Sequence, residues 1–123
     1  MSQIAYLFPG QGAQAVGMGK AFYDRFETSR RLYKLANTTL GFDLTALCFE
    51  GPQEELTKTE KCQPALFVTS MAAFAAFQEL MPSAKPVGVA GLSLGELTSL
   101  AAANALTFSD ALQVVQARGD LMA

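Results

Sequence analysis

The segment Gly91-Leu92-Ser93-Leu94-Gly95-Glu96, reached directly from the apolar run Val87-Gly88-Val89-Ala90, constrains the fold of this chain more than any other stretch. An apolar β run, a Gly-x-Ser-x-Gly turn and a following helix make a nucleophile elbow, with the serine on a sharp strand-to-helix reversal. The two glycines remove side chains that would collide in so tight a bend. The hydroxyl of Ser93 is left proud of the sheet end, and the backbone N–H of Leu94 faces an oxyanion developing on a bound carbonyl. Ser93 and Glu96 also fit the Ser-x-x-Glu capping box, a purely structural use of both residues. The paired glycines and the strand before them favour the elbow.

A second apolar run, Ile4-Ala5-Tyr6-Leu7-Phe8, is closed by Pro9-Gly10 and has the continuity of a buried parallel strand. Residues 18–37 follow a helical pattern with Phe22, Phe26, Tyr33 and Ala36 on one side, broken near Thr28-Ser29. Asp43 can cap a short helix that stops at Gly51, and Pro52 can open another through Leu56. Pro64 is expected to open a helix over 65–80 whose Leu66, Phe67, Met71, Phe74 and Phe77 need cover on most sides. A small-residue helix over 94–105 follows the elbow, and Thr107 or Ser109 caps the last one.

Strands separated by helices imply right-handed parallel connections and an α/β class. Two strands do not complete a sheet. Either further strands lie in segments that read as helix, or the chain is the N-terminal part of a larger α/β domain, with a sheet edge prone to pair with another copy.

With 50% hydrophobic against 16% charged residues, the 123-residue chain can bury one core. Its nine basic residues are scattered and the net charge is −2, which argues against nucleic acid or an anionic membrane as partner. The apolar stretch 65–80 is interrupted by Thr69, Ser70 and Gln78, so it reads as a buried helix and not a membrane span. Cys48 and Cys62 lie in no C-x-x-C spacing and there is no histidine, so no metal site is expected and a reduced, cytoplasmic chain is the simplest reading.

Gly10-Gln11-Gly12-Ala13-Gln14-Ala15 formally matches G-x-G-x-x-G/A, but the segment that should hold the next strand is helical in pattern. Gly17-Met18-Gly19-Lys20 misses the P-loop, with Gln14 and Ala21 where glycine and a hydroxyl are required. A loop at the end of a neighbouring strand can instead offer the N–H of Gln11 as a second oxyanion donor. On the last helix Arg118 falls inside the apolar arc of Ala111, Leu112, Val114, Val115 and Met122. A core-side guanidinium needs an anionic partner. That partner is either Glu96, in a structural ion pair, or a substrate carboxylate gripped bidentately.

Phe8-Pro9-Gly10-Gln11-Gly12, Thr59-x-x-x-Gln63-Pro64-Ala65-Leu66, the elbow, and Ala117-Arg118-Gly119 together resemble malonyl-CoA:acyl carrier protein transacylases, in order and across the whole chain. The resemblance implies ping-pong transfer of malonyl from coenzyme A, through an ester on Ser93, to the phosphopantetheine thiol of acyl carrier protein in fatty acid biosynthesis. It implies an α/β-hydrolase-like large subdomain, of which residues 1–123 are the N-terminal part, and a small ferredoxin-like subdomain outside them. Ser93 is then the nucleophile, Gln11 and Leu94 are oxyanion donors, Arg118 binds the malonyl carboxylate, and Gln63 lines the site. No cofactor is implied. Two departures stand out: Leu92 replaces the family's histidine before the nucleophile, and the family's general-base histidine has no counterpart, so the chain alone is expected to be inactive. Other readings are a polyketide synthase acyltransferase domain, which the nearness of Phe8 to Met1 disfavours, a Gly-x-Ser-x-Gly hydrolase, and a non-catalytic carrier-protein-binding module.

Overall fold

Two short strands and seven helices make up residues 3–123, the part of the chain that the computed structural model describes. β1 (Ala5–Phe8) and β2 (Gly88–Gly91) pair in parallel, with Ala5 opposite Gly88 and Phe8 opposite Gly91. The segments between and after them are helical: α1 (Lys20–Arg25), α2 (Glu27–Leu40), α3 (Leu44–Glu50), α4 (Gln53–Leu56), α5 (Thr59–Leu80), α6 (Leu94–Ala102) and α7 (Phe108–Met122). No further strand is hidden in them among the described residues.

α5 is the axis of the core. It packs against α2, α6 and α7 and touches each of the shorter helices. Its Leu66, Phe67, Val68, Met71 and Ala72 are buried with Tyr33 and Ala36 of α2, Leu94 of α6, and Leu112 and Val115 of α7. Cover fails toward its C-terminal end, where Phe77 is 37% exposed.

Pro64 does not open this helix. α5 begins at Thr59, after an extended Lys58, and carries Pro64 inside it. Proline there deletes one N–H, whose acceptor would have been the Glu60 carbonyl, but Gln63, Pro64 and Ala65 are all buried. Burial of the ring and its neighbours offsets the lost bond, and the extra turn brings Thr59 and Gln63 onto one face.

The break between the first two helices falls at Phe26, whose extended backbone ends α1 and precedes α2, and not at Thr28-Ser29. Ser29 is polar yet buried, its hydroxyl donating to the Ala72 carbonyl of α5 at 2.7 Å, so a hydroxyl takes the place of an apolar step. The caps read from sequence hold at Asp43, which accepts from the Ala46 N–H at 3.0 Å, and at Thr107, which accepts from Asp110. α6 stops at Ala102, short of residue 105, because Asn104 takes a left-handed φ of 63°.

The strands are not buried on both faces. Tyr6 and Phe8 stack edge-on against Phe74 of α5, at centroid distances of 5.4 and 6.0 Å, whereas Leu7 on the opposite face is 79% exposed. An apolar run records which residues prefer burial and not whether a layer is there to cover them.

Candidate active site

At the carboxyl end of β2 the chain turns into α6 through Leu92 and Ser93. Ser93 has φ 58° and ψ −116°, a strained backbone for a residue with a Cβ. The glycines explain why the turn closes. A Cβ on Gly91 would collide with the backbone of Gly95, and a Cβ on Gly95 would collide with the carbonyl of Phe8. The elbow is thereby locked to the end of β1 as well as to its own helix.

Ser93 is the N-cap of α6, but its side chain makes no capping hydrogen bond. The capping-box use of Ser93 and Glu96 is therefore not realised. Instead the exposed Oγ accepts from Nη2 of Arg118 at 3.0 Å. Nη1 of Arg118 donates to Oε1 of Gln63 at 2.8 Å, and Nε2 of Gln63 donates to Sδ of Met122 at 3.5 Å. Arg118 pairs with no carboxylate among the described residues, so the ion pair with Glu96 is absent. A guanidinium beside Oγ stabilises negative charge there but cannot take its proton.

The apolar arc of α7 splits. Ala111, Leu112, Val115 and Gly119 are buried, whereas Val114 and Met122 are 46% and 54% exposed. With Arg118, Ala117 and Leu121 they wall an open groove of about 510 Å³ whose other side is Ser93, Glu96 and Leu97. A helical wheel gives angles, not the edge of the neighbouring helix. Arg118 thus lies at the rim of the core, half-buried, facing Ser93. Gly119, next to it, lets α7 approach α5 closely: a Cβ there would stand 3.2 Å from Cα of Glu60 and 3.3 Å from the Thr59 carbonyl.

Gln63 is fully buried behind Arg118 and contributes no surface to the groove. Leu92, just before Ser93, is 79% exposed. The loop after β1 leans on the elbow, since a Cβ on Gly10 would stand 2.6 Å from the Leu92 carbonyl oxygen. The backbone N–H of Gln11 has no acceptor among the described residues. That of Leu94, first residue of α6, has none within its helix. Nε2 of Gln11 donates to Oγ1 of Thr59 at 3.2 Å, a contact that sequence reading missed although Thr59 was visible at i−4 from Gln63. Burial pushes the Cys62 thiol up, with the Gly12 backbone N–H beside it acting in the opposite direction. The described residues hold no cluster of three potential metal ligands and no helix long and apolar enough to cross a membrane. A larger apolar cavity, about 620 Å³, runs along β1 and α5 and does not include Ser93.

Residues 5–123 match the family model described as acyl transferase domain. The malonyl CoA-acyl carrier protein transacylase of Bacillus subtilis (strain 168) is 48% identical over 122 residues, which cover 99% of this chain and 38% of that protein. The crystal structure of the malonyl CoA-acyl carrier protein transacylase from Clostridium perfringens superposes with a TM-score of 0.91 at 43% identity, over 98% of this chain and 38% of that one. A solved type II PKS acyl-carrier protein in complex with its malonyl-transacylase matches with a TM-score of 0.92 at 40% identity, over 98% of this chain and 39% of that one. The chain spans 38% of the length of the first of these relatives.

Proposed function

The chain belongs to the acyl transferase domain family, and from that membership we propose that it carries the nucleophile and the carboxylate-binding arginine of a malonyl-CoA:acyl carrier protein transacylase. The observation that carries the reading is the 3.0 Å contact between Arg118 and Ser93. A fixed cation one side chain away from a nucleophile suits an acyl group with a free carboxylate at its far end, and a hydrolase of simple esters has no use for it.

In the proposed reaction Oγ of Ser93 attacks the thioester carbonyl carbon of malonyl-CoA while its proton passes to a general base. The backbone N–H groups of Gln11 and Leu94 receive the oxyanion. The C–S bond then breaks, the proton passes to the departing thiolate, and free coenzyme A leaves. The pantetheine thiol of the carrier protein gives its proton to the same base and attacks the ester carbonyl; the C–O bond breaks and Oγ of Ser93 recovers the proton. Arg118 turns from Oγ to grip the malonyl carboxylate, with Gln63 holding its other nitrogen.

The chain contains no histidine. We assign it to the N-terminal part of the large subdomain and the general base to sequence of the kind its longer relatives carry outside the matched region. A serine hydroxyl without such a base is a weak nucleophile. The buried free thiols of Cys48 and Cys62 fit a reducing cytoplasm.

The test is intact-mass analysis of the complete gene product after exposure to malonyl-CoA, followed by addition of carrier protein in its pantetheinylated form. A malonyl ester that maps to Ser93 and moves to the carrier thiol is expected. Release of free malonate with no transfer, or no adduct, overturns the assignment. Comparing fatty acid and polyketide carrier proteins as acceptors identifies the pathway served; the fatty acid protein is expected to be preferred.

A further inference from the structure

Thr59 and Gln63 stand four residues apart on one face of α5, and each holds a different half of the site. Gln63 supports Arg118 at 2.8 Å. Thr59 accepts the side-chain amide of Gln11 at 3.2 Å. Gly119 brings α7 against the same turn, within reach of the Thr59 carbonyl.

The loop carrying Gln11 is also held by Gln53, whose Nε2 donates to the Gln14 carbonyl at 3.4 Å, and has the Gly12 N–H beside Cys62. Its far end is pinned where the Gly17 N–H donates to the Cys48 carbonyl at 2.7 Å and the Val16 N–H to Oε1 of Gln53 at 3.0 Å. Its near end is pinned by Gly10, pressed onto the Leu92 carbonyl. Between these points the Gln11 side chain on Thr59 is the tie to α5 that lies nearest the elbow. The Gln11 backbone N–H, free of any acceptor among the described residues, is therefore bracketed by Gly10 on the elbow and by its own side chain on the helix.

We propose that Thr59 is a positioning residue: its hydroxyl, through the Gln11 side chain, fixes the loop so that the Gln11 backbone N–H stays aimed at the oxyanion formed at Ser93. The first turn of α5 then acts as a common template, setting the oxyanion donor through Thr59 and the carboxylate clamp through Gln63. This rests on the reading of Gln11 as an oxyanion donor given above. Oxyanion donors act only in the transition state, so loosening one lowers kcat and leaves substrate binding intact. Displacement by about an ångström is enough to cost up to ~100-fold in rate.

The test is a double-mutant cycle on the complete gene product, reading acylation by malonyl-CoA in single turnovers. Thr59→Val and Gln11→Ala each keep the Gln11 backbone N–H but break the tie. Each is expected to slow acylation about tenfold or more with KM for malonyl-CoA unchanged. The double variant is expected to be no slower than either single one, and Thr59→Ser to restore the rate. Wild-type rates in Thr59→Val, additive losses, a raised KM, or failure of Thr59→Ser to rescue would each overturn the role of Thr59. Absence of any Ser93 ester in the wild-type protein would instead overturn the functional reading beneath it.

Discussion

Arg118 reaches Ser93 with one terminal nitrogen and Gln63 with the other, at 3.0 and 2.8 Å, so one planar side chain joins the exposed Ser93 hydroxyl to the buried interior of α5. The plane of the guanidinium is set by Gln63 before any substrate arrives. Pre-orientation of this kind matters most for a ligand that binds in two-point fashion, as a carboxylate does. Arg118→Ala is expected to reduce acylation of the complete gene product by malonyl-CoA about 100-fold or more, the equivalent of about 3 kcal/mol for a charge-assisted pair. Reaction with acetyl-CoA, which has no carboxylate to hold, is expected to fall much less. Parallel rate measurements with the two thioesters check this, and equal loss with both would remove the carboxylate-binding role.

Ser93 combines strain with exposure. Its left-handed φ of 58° is disfavoured for any residue with a Cβ and allowed for glycine, and its hydroxyl caps nothing in α6. Ser93→Gly is therefore expected to make the chain about 1 kcal/mol more stable than Ser93→Ala while abolishing acylation, the mark of strain held at a functional position. Denaturant unfolding of the two variants side by side gives the difference. The opposite sign is expected at Gly95, where a methyl group meets the Phe8 carbonyl: Gly95→Ala should cost about 3 kcal/mol through overpacking.

Which parts of this arrangement a reader of the sequence could see depends on how far each signal reaches. The elbow was legible because its glycines report a local collision that any such turn must avoid. Arg118 was legible as an anomaly, a charge in an apolar arc, although the wheel could not show that Val114 and Met122 lie outside the core. The start of α5 was not, since a proline inside a helix is locally unfavourable and only tertiary burial of Gln63, Pro64 and Ala65 makes it tolerable. The Gln11–Thr59 contact joins residues 48 positions apart, and no periodicity reports such a meeting. Exposure of Leu7 was hidden for a related reason: an apolar strand looks the same whether or not a layer covers its second face.

Alkaline pH should weaken the fold in a definable window. Burial raises the Cys48 thiol from 9.0 to about 12, opposed in part by its hydrogen bond with Thr69, and burial likewise pushes the Tyr33 phenol up. In the unfolded chain both groups ionise at their ordinary values, so above pH 9 the unfolded state binds fewer protons than the folded one. The stability these neutral groups contribute is complete below pH 9 and is lost as pH climbs toward about 12. The loss can reach about 1.4 kcal/mol per pH unit for each group that ionises fully on unfolding. Unfolding free energies from urea titrations under reducing conditions are expected to change little below pH 9 and to fall between pH 9 and pH 11, approaching this slope as Cys48 and then Tyr33 ionise in the unfolded chain. Cys48→Ala, though less stable at pH 8 from lost packing, should show a shallower fall; an unchanged slope would remove Cys48 from the account.

The outer side of β1 sets the solution behaviour of the chain as described. β1 pairs only with β2 among the described residues, so its other edge presents free backbone N–H and C=O groups. Leu7 stands 79% exposed there beside the 620 Å³ apolar cavity lined by Tyr6, Phe8, Phe74 and Phe77. An open edge next to exposed apolar surface is a template for strand addition by another copy. The 123-residue chain is therefore expected to self-associate as concentration rises, with sedimentation showing species larger than a monomer. Leu7→Lys places a charge on that face without disturbing the Tyr6 and Phe8 contacts to Phe74, since alternate residues of a strand point to opposite faces. The substitution is expected to hold the chain monomeric with stability changed by no more than about 0.5 kcal/mol, as for other exposed positions. Self-association undiminished in Leu7→Lys would place the sticky surface elsewhere, with the exposed Leu121 and Met122 of the Ser93 groove as the next face to substitute.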